Sequence, residues 1–364
     1  MAFLLSSGVL PAGSTEPTLG GFSSGNVDFL STLPFDVGGA SGARVVGKHL
    51  YVAGARALSI YDVSDPKNPA LSSTTPIGAA FPNEDVDTNG KILLMSDQQV
   101  RGMLHVWDVS DKNSPSELAT LSGVRDHTFT CVLRCRWAYG AGGSIIDLRD
   151  PTAPKRAGTW GSVAPGRGFD VSEVAPGLIL TATQPMHFLD ARKNPAAPKV
   201  LALTGTSDNR ILHSSRWPRA AKDKFFMVQG ETPFSGPCSE QSGAFMTWDA
   251  SRWRKTHSFK MIDQFRFRNG SYTDGSPAIN ATGCTVMWFQ EHPSFHNGGL
   301  VAAAAFDHGA RFLKVSGKGR ISEVEWFLPY AGSYIATYWV TDRIVYAIDL
   351  TRGIDILEFT GRIK

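Results

Sequence analysis

The stretch that decides the fold is Leu58-Ser-Ile-Tyr-Asp62-Val-Ser-Asp-Pro-Lys-Asn-Pro69. Strand-forming residues lead to an aspartate, and the Asp, Ser, Pro and Asn residues that follow it are typical of tight turns. Just upstream, Leu50-Tyr-Val-Ala-Gly54 provides a second strand across a short connection. The stretch therefore predicts a β-hairpin that ends at Asp62 and is followed by a turn and a further strand.

This signature recurs along the chain, with close copies first and more degenerate copies later. The seven equivalent strand ends are Asp62, Asp108, Asp147, Asp190, Asp249, Lys314 and Glu358. They are separated by 46, 39, 43, 59, 65 and 44 residues. A four-stranded sheet of this length cannot bury both of its faces alone, but such sheets bury each other when they stack around an axis. The repeats therefore predict an all-β protein, a seven-bladed β-propeller.

The last repeat leaves its blade without an outer strand after Glu358. The segment Val27-Asp-Phe-Leu-Ser-Thr-Leu-Pro34 is well placed to supply that strand, so that the N-terminal and C-terminal ends of the ring share one blade. This interpretation assigns residues 1–26 to an N-terminal extension and residues 27–361 to a single propeller domain.

Composition and charge exclude several classes of partner. The 364 residues carry a net charge of +3, and the lysines and arginines are scattered rather than gathered into a patch that could follow phosphates. Nucleic acid is therefore not expected as a partner. Because no apolar run approaches about 20 residues, no membrane span is expected.

The four cysteines allow three pairings. Cys131 and Cys135 flank a predicted hairpin turn, which leaves Cys238 with Cys284, and this spacing favours two disulfides. Four free thiols in a cytosolic protein are the alternative. Cys238 and Cys284 lie in or beside two insertions, at about residues 231–243 and 265–283, which either shape a binding mouth on one rim or are inert surface excursions.

The repeats, above all Ile60-Tyr-Asp-Val-Ser-Asp-Pro66, resemble the LVIVD-repeat proteins, bacterial β-propellers that are commonly exported. The resemblance extends over roughly residues 42–361. It implies the propeller fold but says little about a reaction, because propellers serve many functions. Together with the cysteines, it favours a secreted or periplasmic protein, with a cytoplasmic location as the alternative.

In a propeller, the first strand of each blade lines the axial channel. Aligning those strands places the following residues near the axis: Arg44, Glu84, Asp85, Asp126, His127, Phe169, Asp170, His213, Met287, Thr337 and Tyr338. The resemblance implies that histidine is frequent at the positions of His127, Phe169, His213 and Met287, and four imidazoles on one axis would suit a transition metal. Here only His127 and His213 keep that identity.

Three interpretations of His127 and His213 stay open. With Glu84, Asp85 or Asp170, they could complete a mixed site for a divalent transition metal. They could instead serve as acid and base, because a channel floor desolvates such groups and shifts their pKa values. In the third interpretation they hydrogen-bond between blades and hold the ring together.

A second histidine group comprises His292, His296 and His308. Pro293 and the glycines after Asn297 indicate a hairpin loop, so the first two rings need not converge as they would on a helix. We expect His308 in the connection at the opposite end of the following strand.

Two functions from different classes follow. The protein could bind a small molecule, peptide or partner at the channel mouth, with Arg44, Phe169, Met287 and Trp288 as contacts. Alternatively it could be an enzyme of the axial channel, either metal-dependent through His127 and His213 or an acid/base catalyst of isomerisation, elimination or cyclisation. In that case Glu84, Asp85, Asp170 and Tyr338 would assist. No complete catalytic constellation is visible, which favours binding.

Overall fold

The protein is described by a computed structural model. Its described residues are 20–35, 37–77, 86–98, 102–161, 168–204, 211–231, 243–267, 286–330 and 332–363. They form seven antiparallel sheets, six of four strands and one of five. The predicted seven-bladed propeller is thus confirmed.

The strands follow the chain blade by blade. Two strands precede the first blade: β1 (Gly21–Ser23) and β2 (Val27–Pro34). Blades one to three consist of β3 (Ala40–Val46), β4 (His49–Gly54), β5 (Ala57–Asp62), β6 (Ala70–Pro76), β7 (Val86–Thr88), β8 (Ile92–Asp97), β9 (Met103–Asp108), β10 (Ser116–Ser122), β11 (Phe129–Val132), β12 (Trp137–Gly140), β13 (Ser144–Asp147) and β14 (Lys155–Thr159).

Two helical segments of a single turn lie in the second half of the ring, α1 (Pro218–Ala221) and α2 (Trp253–Thr256). Blades four to seven consist of β15 (Asp170–Ala175), β16 (Leu178–Ala182), β17 (His187–Asp190), β18 (Lys199–Leu203), β19 (Ile211–Arg216), β20 (Phe225–Glu231), β21 (Ala244–Asp249), β22 (Lys260–Arg266), β23 (Phe289–Glu291), β24 (Gly299–Ala304), β25 (Ala310–Val315), β26 (Ile321–Pro329), β27 (Tyr334–Trp339), β28 (Ile344–Asp349) and β29 (Gly353–Phe359). Among the described residues, no helix is long and apolar enough to cross a membrane.

The repeated aspartate ends the third strand of each of the first five blades. Its carboxylate accepts a hydrogen bond from the backbone N–H two residues later, at 2.8 to 3.0 Å. This side-chain turn stops the strand and reverses the chain toward the outer strand. In the last two blades, Lys314 and Glu358 are the penultimate residues of β25 and β29. They follow the bulge in the pairing with the outer strand by the same spacing as Asp62 does, so the predicted positions are equivalent.

The N-terminal strand closes the ring as predicted. β2 pairs with β29 in the seventh blade, in a register that places Val27 opposite Phe359 and Pro34 opposite Gly353. The pairing has a bulge at Leu30, and the outer strand of each of the other blades is bulged in the same way. Because bulges increase strand twist, β2 has the geometry of an ordinary outer strand.

The N-terminal residues also make an addition that the sequence did not indicate. β1 pairs with β26 as a fifth strand on the sixth blade, with Gly21 opposite Pro329. A Cβ atom on Gly21 would lie 2.1 Å from the carbonyl oxygen of Leu328, so glycine is required for this close approach. The chain therefore crosses from the sixth blade to the seventh before the first blade begins.

The core lies between adjacent blades. Seven tryptophans fill these spaces and are at most 6% exposed: Trp107, Trp160, Trp217, Trp248, Trp288, Trp326 and Trp339. The innermost strands are buried, whereas outer strands such as β6 and β10 are largely exposed. The ring thus presents its polar outer strands to solvent and encloses its innermost strands.

Candidate functional site

The innermost strands β3, β7, β11, β15, β19, β23 and β27 form the wall around the central axis. Each is the first strand of its blade, and neighbouring innermost strands pack side by side around the ring. Residues at or just before the N-terminal ends of β11, β15, β19 and β23 meet at one end of this wall. We call this end the mouth of the channel.

Four rings form a continuous chain at the mouth, across four consecutive blades. His127 stacks on Phe169 with 3.9 Å between ring centroids, and Phe169 meets His213 edge to face at 5.5 Å. His213 in turn meets Trp288 edge to face at 4.9 Å. We call these four residues the aromatic arc. Three of the four axial positions expected from the sequence are therefore together, and Trp288 rather than its neighbour Met287 completes the set.

Backbone hydrogen bonds between blades hold the arc in place. The N–H of Phe169 donates to the carbonyl of Leu212 at 3.0 Å, and the Phe169 carbonyl accepts from Thr128 Oγ1 at 2.6 Å. The N–H of Trp288 donates to the carbonyl of Ile335 at 3.1 Å. Each ring is thus attached to a backbone that is bonded to a neighbouring blade, which makes the arc rigid.

Asp126 and His127 open the third blade at the mouth. His127 Nδ1 lies 2.7 Å from Gln98 Oε1 in the second blade, and Asp126 Oδ1 accepts from the Ser144 N–H at 3.2 Å. A Cβ atom on Gly140 would lie 2.3 Å from the Asp126 carboxyl carbon, so this glycine makes room for the acid. Burial raises the pKa of Asp126 above its ordinary value.

An ion pair joins the first two blades at the axis. Arg44 Nε lies 2.9 Å from Asp87 Oδ1, and Asp87 Oδ2 accepts from the Cys131 N–H at 2.8 Å. Arg44 was expected at the axis, but the sequence indicated Glu84 and Asp85 as the acids of the second blade. Both of these lie outside the described residues, and Asp87 is the acid that the structure places beside Arg44.

Asp170, at the start of β15, is 2% exposed. Its Oδ2 accepts from Ser172 Oγ at 3.0 Å, whereas Oδ1 has no hydrogen-bond partner among the described residues. Burial raises the pKa of Asp170 to about 7, against the opposing field of Arg44 and with a further small increase from Asp87. Asp170 is therefore a buried carboxyl group that changes charge near neutral pH.

Several further buried polar atoms on or next to the innermost strands lack a hydrogen-bond partner within the described part of the chain, and two of them concern the candidate site. These two are the indole Nε1 of Trp288 and the hydroxyl of Thr337, which is fully buried in β27. Buried polar groups are almost always paired, and each unpaired one costs about 1–3 kcal/mol. With Asp170 Oδ1, the wall therefore offers an indole donor, a hydroxyl group and a carboxyl oxygen that a bound molecule could satisfy.

Tyr338 and Met287 take part in packing between blades. The Tyr338 hydroxyl donates to the carbonyl of Ala43, which joins the seventh blade to the first, and its ring lies in the hydrophobic cluster there. Met287 lies in the same cluster, and its carbonyl accepts from Ser214 Oγ at 2.6 Å. Trp288 belongs to the same cluster, so the arc ends where the packing between the sixth, seventh and first blades begins. Unlike Trp288, neither Met287 nor Tyr338 has a described contact with the rings of the arc.

The two axial imidazoles do not form a metal centre with other described residues. No group of three or more His, Cys, Asp or Glu side chains that could hold a metal ion occurs in the described ranges. Phe169, which cannot act as a ligand, contacts the rings of both His127 and His213. Phe169 therefore occupies the central position, where a four-histidine site would need an imidazole.

The cysteine prediction is confirmed for one pair. Cys131 and Cys135 form a disulfide with 4.2 Å between their Cα atoms, across the turn between β11 and β12. Cys238 and Cys284 lie outside the described residues, as do most of the two insertions.

The second histidine group occupies turns, as the sequence indicated. His292 Nδ1 lies 2.8 Å from Ser294 Oγ, and its Nε2 lies 3.0 Å from the carbonyl oxygen of Asp342. His296 is exposed in the same connection between β23 and β24. His308 lies in the next connection, between β24 and β25, and its Nδ1 is 3.2 Å from Asp307 Oδ1. These rings therefore do not converge on one site.

At the end of β15 and β19 away from the mouth lies a cavity of about 210 Å³. Its charged lining includes Glu173 and the ion pair between Arg216 and Glu291, which joins the fifth and sixth blades. Glu173 accepts hydrogen bonds from two backbone N–H groups, of Leu133 at 2.8 Å and of Gly177 at 2.7 Å. The charges at this end of the wall are thus satisfied within the protein, unlike those at the mouth.

Comparisons with known proteins agree with this architecture. The crystal structure of the RRP9 WD40 repeats is similar over 96% of this chain and 100% of that chain, with a TM-score of 0.60 and 11% identity. The WD40 β-propeller domain of Doa1 is similar over 91% of this chain and 97% of that chain, with a TM-score of 0.57 and 12% identity. At such low identity, the likeness shows the fold alone.

In sequence, no curated protein matches the chain. Residues 37–75, which contain the first blade except the last residue of β6, match the model of the LVIVD repeat. They include the stretch Ile60 to Pro66 on which the resemblance rested. The chain is therefore a seven-bladed β-propeller that carries the LVIVD repeat.

Proposed function

We propose that the protein binds a small organic molecule at the mouth of its central channel. One observation carries this proposal: Asp170 Oδ1, Trp288 Nε1 and the Thr337 hydroxyl are buried on the axial wall without a hydrogen-bond partner among the described residues. Two of these residues adjoin or belong to the aromatic arc. A ligand that accepts from the indole and bonds to the carboxyl would remove the cost of leaving these groups unpaired.

The aromatic arc supports a ligand with a flat or apolar part. Ring faces and edges provide large contact areas with defined geometry, and the arc offers four rings in sequence. Because the rings are attached to hydrogen-bonded backbone, little conformational freedom is lost on binding, and such preorganisation increases affinity. These properties suit a small molecule better than an extended peptide, which needs a long groove or a free strand edge.

The test is a comparison of two indole variants. Trp288→Phe removes the Nε1 donor at the mouth but keeps an aromatic ring. Trp107→Phe is the matched control, because Trp107 is also buried with its Nε1 unpartnered among the described residues, but it packs between the first two blades. A library of small aromatic and heteroaromatic compounds is screened by thermal shift, and compounds that stabilise the wild type are titrated against both variants.

We expect compounds that raise the melting temperature of the wild type to lose about tenfold in affinity for Trp288→Phe, the equivalent of one hydrogen bond. Their affinity for Trp107→Phe should not change. Equal losses in both variants, or none in Trp288→Phe, would contradict the proposal.

A second candidate function is acid/base catalysis at the same mouth, favoured by one observation. Burial raises the pKa of Asp170 to about 7, which is the range in which a carboxyl group transfers protons efficiently at neutral pH. Isomerisation, elimination and cyclisation each need such a group. If this function operates, Asp170→Asn should abolish the turnover of a bound compound, followed by mass spectrometry, while leaving its binding measurable. Turnover that survives this substitution would exclude Asp170 as the acid or base.

A further inference from the structure

The charged side chains of the innermost strands differ in whether they have an ion-pair or hydrogen-bond partner. Within the described residues, these strands carry four carboxyl groups and two guanidinium groups: Asp87, Asp170, Glu173, Glu291, Arg44 and Arg216. Arg44 pairs with Asp87, Arg216 pairs with Glu291, and Glu173 accepts two backbone N–H groups. Among these four acids, only Asp170 has a fully buried carboxyl oxygen without a hydrogen-bond partner among the described residues. The wall therefore has excess negative charge, although the whole chain carries +3.

We infer that the ligand at the mouth is an organic cation, an amine or ammonium compound whose charged nitrogen binds Asp170 and whose apolar part lies against the aromatic arc. This inference rests on the proposed function, because it names the charge of the molecule in that site. A buried carboxylate is stable only when it is paired. Arg44 lies close enough to favour the charged form of Asp170 but makes no described hydrogen bond to it, and a ligand ammonium would supply the missing donor to Oδ1.

The rings beside Asp170 fit the same class of ligand. Phe169 immediately precedes Asp170 in the chain, and the arc continues from it to Trp288 through His213. Aromatic faces attract ammonium groups, most strongly when the pair is shielded from water, and tryptophan does so best. A ligand that reaches both groups would thus find a counter-ion in Asp170 and a low-polarity surface in the arc for the carbon atoms next to its nitrogen.

The positive charge of the ligand sets the direction in which its affinity changes with pH. Because burial raises the pKa of Asp170 to about 7, the group holds a proton at lower pH, and a cation must displace that proton in order to bind. Arg44 opposes this rise and Asp87 adds to it. Affinity for a cation should therefore increase about tenfold between pH 6 and pH 8, as the ionised fraction does for a pKa of about 7. A ligand that accepts a hydrogen bond from the protonated acid would show the opposite trend.

Other titratable groups near Asp170 require a control. The imidazoles of His127 and His213 are ionisable groups of the same mouth. Asp170→Asn keeps the size of the side chain and removes its charge, which leaves any contribution of the imidazoles in place. Glu173→Gln is the matched control, since it removes a buried carboxyl group from the same strand while keeping an oxygen that can accept the two backbone N–H groups.

The experiment uses three probes that share one ring and differ in charge: benzylammonium, benzyl alcohol and benzoate. Isothermal titration calorimetry with the full chain at pH 6 and pH 8 gives the affinities. We expect benzylammonium to bind about tenfold more tightly than either analogue at pH 8, and to lose this preference and its pH dependence in Asp170→Asn but not in Glu173→Gln. Circular dichroism confirms that the variants are folded.

The possible results distinguish a failure of the cation inference from a failure of the proposed function. Binding of benzyl alcohol or benzoate as tight as that of benzylammonium, weakened by Trp288→Phe, would overturn the cation inference and leave the proposed function standing. A preference for benzylammonium that persists in Asp170→Asn would also overturn the inference. If none of the three probes binds the wild type at 10-millimolar-scale concentrations, the proposed function fails together with it.

Discussion

Replacement of Asp355 by alanine should destabilise the point at which the ring closes. Asp355 is fully buried in β29, and its Oδ1 accepts from Thr32 Oγ1 of the N-terminal strand at 2.6 Å. Its Oδ2 accepts from the Tyr334 hydroxyl and from Arg352 Nη2, the latter at 2.6 Å. Asp355→Ala would leave a buried phenol and a guanidinium group without their main acceptor.

The size of the effect follows from these contacts. Removing one partner of a buried ion pair costs about 3–5 kcal/mol, and the lower end applies because Arg352 keeps Asp349 at 3.1 Å. A protein of 364 residues has an unfolding entropy of about 0.8 kcal/mol per kelvin, since each residue contributes about 2.1 cal/mol/K. A loss of about 3 kcal/mol should therefore lower the melting temperature by about 4 °C.

Differential scanning calorimetry measures this shift against two comparison variants. Thr32→Val removes only the hydrogen bond from the N-terminal strand and should cost about 1 kcal/mol, or about 1 °C. Asp28→Ala changes an exposed side chain of the same strand and should shift the melting temperature by less than about 1 °C. The reasoning is refuted if Asp355→Ala behaves like Asp28→Ala.

Three further predictions concern the axial wall. Phe169→His would place a third imidazole between the two in the arc, and we expect this variant to retain Co²⁺ through desalting more strongly than the wild type, as elemental analysis would show. Replacing Cys131 and Cys135 by alanine should lower the free energy of unfolding by about 2 kcal/mol in urea titrations, because a short loop is no longer closed. Because burial raises the folded-state pKa of Asp170 to about 7, its contribution to stability is complete below pH 4 and is lost as the pH rises through 7. Relative to Asp170→Asn, the wild type should lose up to about 4 kcal/mol over this range, and parallel pH curves would contradict this.

The blades could be predicted from sequence because the signal for each strand end is local. In the first five blades, Asp62 and the equivalent aspartates bond to a backbone N–H only two residues away, so the same few residues carry both the signal and the structure. Closure by Val27–Pro34 was also predictable, since the seventh repeat lacked one strand. The pairing of Gly21 with Pro329 was not, because it depends on contacts between segments about 300 residues apart and has no repeat to reveal it.

The site was predictable only in part, because neighbouring residues of a strand point to opposite sides. Met287 and Trp288 are adjacent, and a shift of one residue in the alignment exchanges them, so the sequence could not show that Trp288 continues the arc. In the second blade, three acids lie within four positions, and the sequence could not indicate that Asp87 pairs with Arg44. His127, Phe169 and His213 were correctly brought together because each was aligned at the start of its own blade.

The polar contacts between blades show which side chains hold neighbouring blades together. Every one of the seven junctions between innermost strands has a bond made by a side chain other than histidine: Arg44–Asp87, Asp87–Cys131, Thr128–Phe169, Ser172–Ser215, Ser214–Met287, Gln290–Trp339 and Tyr338–Ala43. These bonds are spread around the whole ring, and His127 adds one more contact between the second and third blades, with its Nδ1 2.7 Å from Gln98 Oε1. The junctions therefore have bonds of their own, and the ligand proposed for the mouth gives a second reason for the imidazoles of His127 and His213 to lie against Phe169.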